Sequence, residues 1–184
     1  MRVAAAARRL FARRGYTATT IEAIAAESKV PVQTIYSAFG AKPAILEEIR
    51  RLWILDTEVA ELHAAAMRLR DPRARLARAA HWTRRQFELG HDVITVHQEA
   101  ARFDHRVAQG WHAALAGRDA AIVALIRPLS AALRPGLSVR GAADLYVALT
   151  LPEIYRTLVL ERQWSLRRYE VWLAGALTGE LLAL

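Results

Sequence analysis

At 184 residues, 54% hydrophobic and 24% charged, the chain has a globular balance and enough length to bury a sizeable core. It has no cysteine, which excludes a disulfide scaffold, cysteine metal ligands and a cysteine nucleophile, and no stretch reaches the ~18 uncharged apolar residues of a membrane span. The formal charge of +8 rests almost wholly on arginine, with Lys29 and Lys42 the only lysines, and it favours a polyanionic partner, nucleic acid before membrane.

Arginines interrupt every short apolar run of the opening MRVAAAARRLFARRG, so no secretory leader is read there and the expected location is the cytoplasm. The same segment, about 2–14, places Val3, Ala6, Ala7, Leu10 and Phe11 on one helical face, and Gly15 stops it. Thr17, Thr19 and Thr20 offer N-cap hydroxyls to a second helix over about 20–27, with Ile21, Ile24 and Ala25 inward. After a break at Ser28-Lys29-Val30, Pro31 suits the first turn of a third helix over about 31–38. Gly40-Ala41 breaks the chain again and a longer helix begins near Lys42. Amphipathic segments continue at about 42–56, 57–69, 72–89, 92–102, 104–132, 138–161 and 166–183. Pro128 and Pro152 fall inside two of them and are expected to kink or break them. No strand-like alternation appears, so the fold class is all-α. The expected division is a three-helix domain over 1–46 and a larger helical domain over 47–184.

Two short helices around a three-residue turn, residues 20–39, have helix-turn-helix spacing. Ala25 is small where the second helix would cross, Ile24 and Val30 flank the turn, and Ile35 supplies the inner face. In such motifs the second helix enters the major groove. Its outward residues here are Val32, Gln33, Thr34, Ser37 and Tyr36; Gln reads adenine edges, and Thr bonds phosphate or touches a thymine methyl. Residues 1–46 hold seven basic residues (Arg2, Arg8, Arg9, Arg13, Arg14, Lys29, Lys42) against Glu22 and Glu27, a net +5. Periodicity alone is equally compatible with a plain three-helix subdomain that binds nothing.

The stretch AARRLFARRGYTATTIEAIAAESKVPVQTIYSAFGAKPAIL resembles the N-terminal domain of the tetracycline-repressor (TetR) family. The matching residues are Ala6, Ala7, Leu10 and Phe11 in the first helix, then Gly15, Tyr16, Thr19 and Thr20. Ile24 and Ala25 come next, then Thr34, Ile35, Tyr36 and Phe39, and finally Lys42 and Leu46. The resemblance implies that Thr20 bonds a phosphate, that Val32, Gln33 and Thr34 meet bases and backbone, and that Tyr36 and Lys42 contact phosphate. Two positions depart from the family pattern. Lys29 stands where the family usually has a left-handed Gly, and is either strained and silent or a further DNA contact. Gln33 stands where a Gly or Ala is usual, which makes it the first candidate for base reading. The sequence starts directly in the first helix, so the basic arm that precedes it in many relatives is either missing or trimmed.

The resemblance also implies a variable C-terminal domain that binds a small effector and dimerises through its last two helices. The segment ALTLPEIYRTLVLERQWS is similar to a common subgroup of the family. Leu149, Leu158, Trp172, Ala176 and Leu177 are the candidate dimer contacts, with Ala174, Gly175 and Gly179 small enough for close helix approach. Aromatic residues with polar neighbours on the middle helices, Trp82, Gln86, Phe87, Phe103, Trp111 and Tyr146, are the candidate ligand-binding set. The six histidines (His63, His81, His91, His97, His105, His112) include no His-x-x-x-His pair, so no metal and no cofactor is expected. No nucleophile–base motif or glycine-rich phosphate loop points to an enzyme. The resulting expectation is an effector-responsive, homodimeric transcriptional regulator, a repressor, that binds a palindromic double-stranded operator and is released by a largely apolar small molecule. A helical protein-interaction module is the other class that the pattern allows.

Overall fold

The computed structural model describes residues 2–183. Ten α-helices run in chain order among them: α1 Arg2–Arg14, α2 Ile21–Ser28, α3 Val32–Phe39, α4 Lys42–Asp56, α5 Val59–Arg68, α6 Pro72–Ala100, α7 His105–Ile126, α8 Val139–Leu149, α9 Pro152–Tyr155 and α10 Leu166–Leu181. No strand occurs among the described residues, only an antiparallel bridge of Leu133 with Leu182. The all-helical class is as the periodicity indicated. None of the described helices is long and apolar enough to cross a membrane.

Element ends obey local chemistry. Gly15, at φ +78°, ends α1 and donates its N–H to the Phe11 carbonyl at 2.9 Å. Thr20 caps α2 by accepting from the Ala23 N–H at 3.2 Å. α6 is interrupted at Gly90 (φ −154°, ψ 22°), where the sequence marks a junction. Pro128 lies in a 3-10 turn, Arg127–Ala132, that ends α7. The segment expected over 138–161 is broken into three. Thr150 leaves helical geometry and turns its Oγ1 back to donate to the Tyr146 carbonyl at 2.8 Å. Leu151 is extended, as a residue before proline must be, and Pro152 opens α9. A π turn, Arg156–Glu161, comes after it.

The chain forms two compact units. One comprises Met1–Asp56 with Asp92–Ala114, the other Thr57–His91 with Leu115–Leu184. In the first, Ala6, Ala7, Leu10 and Phe11 of α1 share a core with Ile24, Ile35, Ile45, Leu46 and Ile49, each at most 3% exposed. Burial of each Leu, Ile or Phe side chain contributes roughly 1.5–3 kcal/mol. Residues 92–114 join this unit through polar ties. Arg8 grips Asp92 with two bonds of 2.7 Å, which holds the guanidinium pKa above its ordinary value. His97 is buried, donates from Nδ1 to the Val93 carbonyl at 2.8 Å and stacks on Trp111; burial pushes its pKa down.

In the second unit, Tyr155 stacks on Phe87 and His91 and meets the edge of Tyr169 at 5.2 Å. Tyr146 is buried and shares a 2.9 Å hydrogen bond with Thr83, and desolvation raises its pKa to about 12. Arg84 bonds both Glu88 and Glu170, and His81 lies 3.2 Å from Glu170. Arg75, 5% exposed, reaches no carboxylate among the described residues. Its guanidinium donates instead to the carbonyls of Met67, Leu69 and Leu125 at 2.6–3.2 Å.

Candidate nucleic-acid interface

The candidate surface is built from three short segments of the first unit. α2 is fixed by Ile21, Ile24 and Ala25, all buried. The turn after it carries Lys29 in the left-handed region (φ 54°, ψ 39°), and the N–H groups of Lys29 and Val30 both return to the Ala25 carbonyl. A lysine here bears strain that glycine would not. Lys29→Gly should therefore raise stability by about 0.5–1 kcal/mol, net of the larger entropy a glycine loses on folding, as read by urea unfolding. An unchanged midpoint would mean that the Lys29 side chain makes contacts that offset the strain.

α3 starts at Val32 after Pro31 and ends at Gly40, whose N–H donates to the Tyr36 carbonyl at 2.8 Å. Ile35, 1% exposed, is its one buried residue. Gln33, Thr34, Tyr36 and Ser37 are exposed, Tyr36 by 44%, while Val32 and Phe39 are half-buried. The helix thus hangs from one side and presents amide, hydroxyl and phenol groups on the other. Thr20 is exposed; its oxygen accepts from the Ala23 N–H, and its hydroxyl hydrogen-bonds the Glu22 carboxylate. The bond of that carboxylate to its own backbone N–H, helped by Thr20, holds the Glu22 pKa below its ordinary value.

Lys42, the first residue of α4, is placed differently from a freely extended cation. Its Nζ donates to the carbonyls of Tyr16 (2.8 Å) and Thr19 (3.0 Å) and sits 4.2 Å over the Tyr16 ring centroid. Burial lowers its pKa, and the fields of Asp104 and Glu99 work against that shift. One of its three N–H bonds remains for a further partner. Tyr16 is the hub of this corner. Its N–H donates to Glu99 at 3.1 Å and its hydroxyl to Asp104 at 3.3 Å, and its phenol pKa is raised by burial and by Asp104. In the sequence Tyr16 is only a family marker, and no local spacing ties it to the two carboxylates, which lie 83 and 88 residues away.

Residues 3–49 match the family model described as bacterial regulatory proteins, tetR family. They form a tetR-family domain. The whole chain has the fold of solved tetR-family structures. A protein described as a transcriptional regulator, from Saccharomonospora viridis and solved in complex with choline, is 25% identical. It covers 100% of this chain and 97% of its own, with a TM-score of 0.75. The TetR-family transcriptional regulator PfmR from Thermus thermophilus is 19% identical, covering 96% and 97%, with a TM-score of 0.74. The transcriptional regulator FadR from Bacillus subtilis, in complex with stearoyl-CoA, is 18% identical, covering 96% and 96%, with a TM-score of 0.77. No curated protein matches the sequence.

Outside the tetR-family domain, the candidate sets do not stay whole. Of the ligand-binding candidates, Trp82, Phe87 and Tyr146 are buried in the second unit and Gln86 is half-buried there. The indole N–H of Trp82 and the hydroxyl of Tyr169 are buried without a hydrogen-bond partner among the described residues. Phe103 and Trp111 belong to the first unit instead. Phe103 is 71% exposed on the turn after α6, so it is not the wall of an enclosed pocket, and Trp111 stacks on His97. Of the dimer candidates, Leu177 is 0% exposed and belongs to its own chain's core, with Tyr169, Leu173 and Leu181 along the same face of α10. It offers a partner nothing. Leu149, Leu158, Trp172 and Ala176 are half-buried. The fully open side of α10 holds Val171, 66% exposed, with Gly175 and Gly179 one and two turns on. Nothing lies within 4 Å of where a Cβ would stand on either glycine. Periodicity marks both faces of α10 as apolar or small and cannot say which one the chain uses for itself.

Proposed function

We propose that the chain is an effector-responsive, DNA-binding transcriptional regulator that acts as a homodimer and represses until a small, largely apolar ligand releases it. The observation that carries this reading is α3: a helix held by Ile35, with Gln33, Thr34 and Tyr36 outward, inside the segment that matches the family model. Gln33 and Thr34 are the base readers, with Val32 beside them. Thr20, Tyr36 and the remaining N–H of Lys42 hold phosphates, and Lys29 extends the same face.

Two copies with a two-fold axis would set their α3 helices about 34–36 Å apart, one turn of a palindromic duplex. The open side of α10, around Val171, Gly175 and Gly179, supports the pairing, since glycines let helices approach closely. Two of the relatives were solved with choline and with stearoyl-CoA, which supports a small-molecule effector. The aromatic interior of the second unit favours a ligand with an apolar body. The unpartnered donors on Trp82 and Tyr169 favour one that also carries an acceptor oxygen.

The experiment is titration of the protein with the duplex from upstream of its own gene and with a scrambled duplex of equal length. Wild type is expected to prefer the upstream duplex. Gln33→Ala should lose about tenfold on that duplex, near the low end of the 1–3 kcal/mol a good base contact supplies, and little on the scrambled one. Equal wild-type affinity for the two duplexes overturns the reading.

A further inference from the structure

We propose that Arg14, Arg102 and Arg106 form a second, sequence-independent DNA contact, a basic belt around Tyr16 that grips phosphates flanking the site read by α3. The inference rests on the DNA-binding reading above and extends it to residues outside the helix-turn-helix. All three side chains are exposed, and none is in an ion pair among the described residues. Their neighbours differ: Arg9 and Arg13 of α1 both pair with Glu27.

The three come from segments that converge on one residue. Arg14 ends α1, two residues before Tyr16. Arg102 and Arg106 bracket Asp104, whose carboxylate accepts from the Tyr16 hydroxyl. The acids of this corner are turned inward. Glu99 accepts from the Tyr16 N–H and crowds Gly15; Asp104 also accepts from the backbone N–H groups of Arg106 (3.0 Å) and Val107 (3.4 Å) at the start of α7. Carboxylates engaged with N–H and O–H donors leave guanidinium groups as the outward charge. The position fits phosphate, because Tyr16 also holds Lys42 through its carbonyl and lies four residues before Thr20, the two phosphate contacts assigned at this corner. Arginine suits that role, since its planar fork bonds phosphate in two-point fashion.

Each phosphate neutralised by the protein contributes about 0.9 to the slope of log affinity against log salt. The test measures that slope between roughly 50 and 200 mM KCl, the range over which phosphate contacts dominate. The proteins are wild type, the triple variant Arg14→Ala/Arg102→Ala/Arg106→Ala, and a control triple, Arg127→Ala/Arg140→Ala/Arg162→Ala, which removes three exposed arginines of the second unit. Both duplexes described above serve as probes. The belt variant should lose about 5 from the slope, roughly 0.9 for each of the three arginines on both copies of the homodimer, with the same fold-loss on the upstream and the scrambled duplex, and the control less than about 1. A belt variant with the wild-type slope overturns the proposal, and so does a control that loses as much, because the effect would then be net charge alone. If the belt variant keeps the wild-type slope while Gln33→Ala still loses selectivity, this inference falls and the DNA-binding reading stands. If wild type binds neither duplex, both fall together.

Discussion

Arg75→Ala is expected to cost the second unit about 3–4 kcal/mol. The guanidinium is 5% exposed and gives four hydrogen bonds to three carbonyls near the ends of α5 and α7. Helix C-termini carry partial negative charge, so these carbonyls serve as the counter-charge that no carboxylate supplies here. Truncation strands them in a low-dielectric interior at about 1–3 kcal/mol each, offset in part because a buried charge also leaves. Arg75→Lys should recover only part of the loss, since one ammonium cannot span acceptors on two helices in a fixed fork. Urea unfolding decides it: an Arg75→Ala midpoint that corresponds to less than about 1 kcal/mol would show that the carbonyls find other partners.

Gly15→Ala is expected to destabilise the first unit by about 2–4 kcal/mol, and to do so by two separable routes. At φ +78° any side chain incurs the left-handed penalty of roughly 1–2 kcal/mol. The added Cβ would also stand 2.8 Å from Glu99 Oε1, so the carboxylate must move and its bond to the Tyr16 N–H weakens. A hydrogen bond to a charged group is worth about 1.5–3 kcal/mol. Gly40→Ala is the internal comparison: φ is +70°, but nothing lies within 4 Å of its Cβ position. Gly40→Ala therefore carries a backbone cost alone, and a Gly15→Ala protein with an undisturbed Tyr16 amide would remove the Glu99 contribution. Hydrogen exchange at the Tyr16 amide should rise in Gly15→Ala and not in Gly40→Ala.

What the sequence discloses divides by range. The first four helices are legible because each boundary has a local cause: Gly15 and Gly40 at positive φ, Thr20 as a cap, Pro31 before Val32. Even the oddity at Lys29 is visible, and it adopts the left-handed turn that its position demands. The packing of residues 92–114 with the N-terminal helices is not legible. Arg8 and Asp92 are 84 positions apart, and nothing in either neighbourhood announces the other. Arg75 hides for a related reason: it is one arginine among many, and its acceptors are backbone atoms with no residue identity. The π turn after α9 escapes too, since Pro152 predicts a break in the helix but carries no signal for the wider turn at Arg156–Glu161. Leu177 and Val171 show the limit of periodicity. Both lie on apolar or small faces of α10, yet one is fully buried and the other 66% exposed.

The single anchor of α3 bears on how this protein could change its target. Stability at that helix runs mainly through Ile35, with Val32 and Phe39 at the margin. Gln33, Thr34, Tyr36, Ser37 and Ala38 are exposed and answer hardly to the core; under the proposed function they are the ones free to answer to the groove. Recognition can therefore drift, or be rewritten in the laboratory, one outward side chain at a time without passing through an unfolded intermediate genotype. A library randomised at those five positions with Ile35 fixed should remain largely folded, and operator preference is the property along which its members would diverge.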